Sequence, residues 1–161
     1  MEGSAEGRVI QLNRRDAETP REDKITDLVI GAAIEVHRTL GPGLLESAYE
    51  ECMCYELSHA GLHFRRQVSL PVVYKGMKLD CDYRMDLVVG DLVIVEIKAV
   101  ESLAPVHSAQ LLTYLRLSNR TVGLLINFNE SVLKNGLKRL VLGFSASRRL
   151  GGEKKDAPTI S

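Results

Sequence analysis

The sequence predicts a mixed α/β domain, with helices flanking a mixed sheet in the order ααβββαβ, because the period of its apolar residues switches from helical to alternating and back. Ile25, Leu28, Val29, Ala32, Ala33, Val36 and Leu40 recur at helical spacing. From Val68 to Ala99 the chain is instead rich in β-branched and aromatic residues. Pro105 then opens another helical stretch, which leads into the apolar run from Thr121 to Phe128.

Each element has its own punctuation. Gly41-Pro42-Gly43 stops the first helix with the two strongest breakers, and a second helix runs from about Leu44 to Ala60, with Gly61 at its left-handed cap. Three strands follow as an antiparallel meander, Val68–Tyr74, Met77–Val89 and Leu92–Ala99, with Lys75-Gly76 and Gly90-Asp91 as turn signals. A helix over Ala104–Asn119 and a strand over Thr121–Phe128 come next, and Ser131–Phe144 is ambiguous between helix and strand. Residues 1–22 and 145–161 are rich in Gly, Ser, Pro and charge without periodicity, so flexible tails are expected on either side of one domain at 23–144.

Composition narrows the function classes. Of 161 residues, 45% are hydrophobic and 26% charged, yet no apolar stretch is long enough to cross a bilayer, which argues against a membrane partner. Met1 to Asp23 contains no basic segment followed by an apolar core, so a cytoplasmic location is expected. Cys52, Cys54 and Cys81 are then expected to be reduced, buried and inert. The 21 basic and 21 acidic side chains cancel, so no strong positive field surrounds the whole molecule, and basic pairs such as Arg65-Arg66 read as solvated surface.

The candidate chemistry lies on two strands. Glu96 and Lys98 share one face of a strongly apolar strand whose other face carries Val93, Val95 and Ile97. Burying either charge alone is costly, so the two either form an ion pair at the strand end or hold a cation. On the preceding strand, Asp80, Asp82, Arg84 and Asp86 alternate against Cys81, Tyr83, Met85 and Leu87. A two-residue turn at Gly90-Asp91 would oppose Met85 to Glu96 and send Asp86 to the other face. A three-residue loop through Leu92 would oppose Asp86 to Glu96, and two facing carboxylates suit an oxygen-loving divalent ion. A metal site therefore demands the three-residue loop.

These residues resemble a known family. Asp86 followed by Glu96-Ile97-Lys98 is similar to the D…ExK signature of the PD-(D/E)XK nuclease superfamily. Gly43-Leu44-Leu45-Glu46-Ser47-Ala48-Tyr49 resembles the GxxExxY motif that names one subfamily, and Gln110-Leu111-Leu112-Thr113-Tyr114 resembles the QxxxY element of the RecB-like branch. The resemblance spans about residues 24–143 and implies a restriction-endonuclease-like core.

It further implies a Mg2+- or Mn2+-dependent nuclease acting on nucleic acid, DNA in preference to RNA. Asp86, Glu96 and the Ile97 carbonyl would ligate the metal, and Glu46 would bind one of its waters or a second ion. Lys98 would orient the attacking water and offset charge on the phosphate, with Gln110 positioning water or substrate. Tyr114, His107 and Tyr49 are candidate substrate contacts. Without the resemblance, Glu46 reads as a first-turn acid, and Gln110 and Tyr114 as a helix face packed on the sheet. Some RecB-like proteins hold an iron–sulfur cluster on four cysteines; three are present here, so none is expected. Two other readings stay open: a catalytically silent nucleic-acid-binding module on the same fold, and an interaction subunit whose acidic pocket binds metal for stability. A homo-oligomer or a partner protein would supply the positive groove that the neutral chain lacks.

Overall fold

Proline and glycine set the limits of the helices. A computed structural model describes residues 20–143, so the expected tails lie outside the described residues except for 20–22, which belong to the first helix, α1 (Pro20–Leu40). Helix α1 carries Glu22 and Asp23 in its first turn, where the helix dipole favours acids, and buries Val29, Ala32, Ala33 and Val36. Gly41 (φ +69°) and Gly43 (φ +104°) take left-handed backbone that ends it. Helix α2 (Glu46–His59) begins two residues after the predicted Leu44 and is followed, after Ala60, by Gly61, whose φ of +76° fits the expected cap.

The strands are β1 (Phe64–Leu70), β2 (Val73–Tyr74), β3 (Met77–Lys78), β4 (Tyr83–Val89), β5 (Val93–Lys98), β6 (Val122–Asn127) and β7 (Leu137–Val141), with helix α3 (Pro105–Ser118) between β5 and β6. Five of them form one mixed sheet in the order β1-β4-β5-β6-β7, antiparallel except for the β5–β6 pair that α3 connects. β6 is buried along its whole length and β5 up to Ile97, as expected of central strands covered on both faces. One face packs on α1 and α2 through Val29, Tyr49, Leu57, Leu87, Val95 and Leu124. The other packs on α3 through Leu70, Met85, Ile94, Leu111, Tyr114 and Leu125.

The predicted mixed sheet is thus present, but the meander is corrected. Its first strand, expected over Val68–Tyr74, divides at Pro71, which has no N–H for a ladder. β1 starts earlier, at Phe64, and pairs with β4, while β2 and β3 form a separate two-stranded arm. The ambiguous Ser131–Phe144 stretch resolves into a 3-10 turn at Leu133–Gly136 and edge strand β7; Phe144 lies outside the described residues. No helix among the described residues is long and apolar enough to cross a membrane. All three cysteines are free, but only Cys54 is buried; Cys52 is half-buried and Cys81 exposed, so the expectation of three buried thiols is corrected.

Candidate active site

The β4–β5 register decides whether two carboxylates meet. Val89 pairs with Val93, Val88 with Ile94 and Leu87 with Val95, so the connection is the three-residue loop Gly90-Asp91-Leu92. Gly90 and Asp91 both adopt left-handed backbone (φ +60° and +58°), and Arg65 and Arg120 hold the Asp91 carboxylate at 3.0 and 2.7 Å. Continuing that register sets Asp86 opposite Glu96. There the side chains replace the ladder: Glu96 Oε2 accepts the Asp86 N–H at 3.0 Å, and Asp86 Oδ2 accepts the Ile97 N–H at 2.8 Å.

This arrangement is electrostatically costly. Glu96 is only 4% exposed, and burial, followed by the Asp86 charge, pushes its pKa from 4.5 up to about 8. Burial also raises Asp86, against the lowering effect of the Ile97 N–H and Gln67. Lys98, half-buried at the end of β5, favours both ionised forms through space. Glu46, the first residue of α2, reaches the same strand end, where its Oε2 accepts the Ala99 N–H at 3.1 Å. No group of three or more His, Cys, Asp or Glu side chains surrounds a single point among the described residues. The donors at the strand crossing are therefore two crowded carboxylates and neighbouring backbone oxygen. That hard, sparse set fits an ion of the Mg2+ type, which keeps several waters and takes one or two carboxylates.

Helix α3 lies over this face. Gln110 Nε2 donates to the Tyr114 hydroxyl at 3.0 Å, one turn along. Burial first, and then the Glu96 charge, pushes the Tyr114 pKa up, so the ring senses the carboxylates. His107 instead faces back along the chain, its Nδ1 accepting the Ala104 N–H at 2.9 Å at the helix start. Tyr49 is fully buried, stacked on Phe128 with centroids 4.6 Å apart. Its hydroxyl donates to the Gly41 carbonyl at 2.6 Å and accepts the Leu44 N–H at 3.1 Å. The expected substrate contact at Tyr49 is therefore corrected: the ring pins the turn that carries Glu46 and has no surface to offer.

Three participants escaped the sequence reading. Gln67 has a φ of +47°, costly for a residue with a side chain, at the point where pairing between β1 and β4 skips from Arg66↔Leu87 to Val68↔Met85. Its Nε2 donates to Asp86 Oδ1 at 3.3 Å and to Glu50 Oε1 at 2.9 Å. Glu50, only 7% exposed, is held in turn by Arg66 at 3.0 Å, so Arg66 is no free surface cation. The break also corrects the predicted alternation, because Met85 packs with the α3 face while Leu87 packs with the α1–α2 face. Asn127, fully buried beside Lys98 in register, bonds the Val100 N–H and carbonyl at 3.0 and 2.9 Å and fixes the chain that leaves β5. The left-handed Gln67 and the long-range partners of Glu50 and Asn127 leave no local pattern that could have marked them.

A family model described as the PD-(D/E)XK nuclease superfamily matches residues 23–140. No curated protein and no solved structure matches the chain.

Proposed function

The chain belongs to the PD-(D/E)XK nuclease superfamily, and from that membership we propose that it is a divalent-metal-dependent nuclease of the GxxExxY type, hydrolysing phosphodiester bonds of DNA in preference to RNA. One observation carries the proposal: Asp86 and Glu96 face each other across β4 and β5 with Lys98 on the same strand end, at a place too dry for two uncompensated carboxylates. A purely structural cation site gains nothing from a nearby ammonium, so Lys98 favours chemistry over an acidic pocket that binds metal for stability alone.

Asp86, Glu96 and the Ile97 carbonyl would hold Mg2+ or Mn2+, with Glu46 beside them at the end of β5. Such an ion neutralises phosphate charge and lowers the pKa of water. The chain's own groups do the rest. Lys98 orients the attacking water and meets the charge that grows on the phosphate. Gln110, fixed by its bond to Tyr114, positions water or substrate. Glu96 must give up its proton before it can ligate, because its pKa lies near 8. The chain carries no net positive charge with which to grip a duplex, and a homo-oligomer or partner protein would supply a positive groove; a light-scattering mass of one chain, alone and with nucleic acid, would count against self-association.

The test is Mn2+ calorimetry on the wild type and on the Asp86→Ala, Glu96→Ala double variant, with labelled single- and double-stranded DNA and RNA incubated beside each. Binding and metal-dependent cleavage that both vanish in the double variant support the nuclease. Binding without cleavage of any substrate moves the reading to the silent module, and no binding at all removes the metal site.

A further inference from the structure

A cleft opens beside the carboxylates. Residues Gln110, Thr113, Tyr114 and Leu117 form one stripe of α3 at the i, i+3, i+4, i+7 spacing, and this stripe is one wall of a cleft of about 250 Å3. The opposite wall is Tyr83, at the start of β4, together with the root of the β2–β3 arm. That root is closed by the Leu79 N–H bonding the Val72 carbonyl at 2.9 Å. Tyr83 is held in place by pairing with Leu70 on β1, yet 42% of its surface is exposed.

We propose that this cleft receives an unpaired nucleobase of the substrate strand, one whose neighbouring phosphate lies on Asp86 and Glu96, so that the substrate is single-stranded or locally unpaired nucleic acid. The inference rests on the nuclease reading and adds the form of the substrate. Continuity with the site selects the occupant: Gln110 and Tyr114 belong both to the cleft and to the face above the carboxylates, so whatever fills the cleft is joined to whatever the carboxylates engage. The stripe runs only about 10 Å from Gln110 to Leu117 at 1.5 Å per residue, which is the reach of a single nucleotide unit. The walls are chiefly apolar, with a tyrosine ring on the arm side, and suit the face of a base; the Gln110 amide and Thr113 hydroxyl can meet its polar edge. A base inside a duplex is stacked on both faces and paired along its edge, so it cannot enter without leaving the helix.

Fluorescence anisotropy of the full chain in Ca2+ tests this, with a labelled oligothymidylate, the same strand annealed to its complement, and an abasic strand of equal length. The intact single strand is expected to bind more tightly than the other two. Tyr83→Ala should weaken that binding about tenfold, the size of one base–aromatic stack, and leave the abasic strand unaffected, while Tyr83→Phe retains wild-type binding. Mn2+ calorimetry on Tyr83→Ala should match the wild type. A duplex or abasic strand bound as tightly as the intact strand, or Tyr83→Ala without loss, overturns the cleft assignment even if cleavage is intact. Base-dependent binding that survives in a chain with no metal binding and no cleavage instead overturns the nuclease reading and leaves the cleft.

Discussion

The carboxylate of Glu96 accepts the backbone N–H of Asp86 at 3.0 Å, and Asp86 uses its own carboxylate on the next amide of the opposite strand, Ile97, at 2.8 Å. Two acids are thereby lodged between strands where main-chain bonds would otherwise run. Each keeps one oxygen for other partners, and neither has a direct ion pair among the described residues. A folded chain tolerates this when the carboxyl with the higher pKa holds its proton or when a cation arrives.

The two alternatives predict a definite pH dependence. Glu96 has a folded pKa of about 8 against an ordinary 4.5, so the folded chain holds this proton more tightly than the unfolded one. Its contribution to stability is full below pH 4.5 and is lost as the pH rises through 8. Denaturation of the metal-free protein should therefore show falling stability across that window, and Glu96→Gln should flatten the fall. Mn2+ must displace the same proton, so its affinity should rise about tenfold per pH unit up to about pH 8, with proton release seen as a buffer-dependent heat. An affinity indifferent to pH would show that Glu96 is not a ligand.

Lys98 separates binding from chemistry. Lys98→Ala should reduce cleavage about 100- to 1,000-fold, the usual effect of removing one group that stabilises developing charge. Mn2+ affinity should stay within a few-fold, since Lys98 does not ligate. Equal losses of binding and cleavage would make the ammonium a structural partner of the carboxylates, and no loss of cleavage would remove it from the mechanism.

How much of this was legible before folding follows from the same residues. The sharing of one strand face by Glu96 and Lys98 follows from alternation alone, and the requirement for a three-residue loop from counting back through Gly90. Which loop forms could not be read locally, because the register belongs to β4 as it is paired on both sides, with β1 and with β5, and the Arg65 and Arg120 contacts to exposed Asp91 only accompany it. The same limit hid the start of β1 at Phe64, which is defined by pairing with β4 beyond the β2–β3 arm, whereas Pro71, which divides the predicted strand, was a local signal left unused. Tyr49 matched a motif spacing, but spacing does not say on which side of a helix the core will lie.

Gln67 is the clearest gain from the fold. Gln67→Ala removes a donor to Asp86 and leaves buried Glu50 with one partner fewer, so Mn2+ affinity should fall about 10- to 100-fold, as for other groups that orient metal ligands. Gln67→Gly removes the same donor but suits the φ of +47°, so it should lose as much affinity while unfolding at higher denaturant than Gln67→Ala. Full affinity in both variants would reduce Gln67 to a bend in β1.

Tyr49 supplies the complementary case, a motif residue whose place is structural. Tyr49→Phe keeps the stack on Phe128 but leaves the Gly41 carbonyl and the Leu44 N–H without their protein partner in a turn that is exposed beyond half-buried Gly41. Stability should drop by about 0.5–1.5 kcal/mol in urea denaturation, the net worth of an ordinary hydrogen bond whose partners water can reach. Cleavage at a temperature where both proteins are folded should change only a few-fold, through small displacement of Glu46 five residues after Gly41. A variant of unchanged stability whose cleavage collapsed would instead mean that the hydroxyl leaves the Gly41 carbonyl to meet the substrate, which its complete burial argues against.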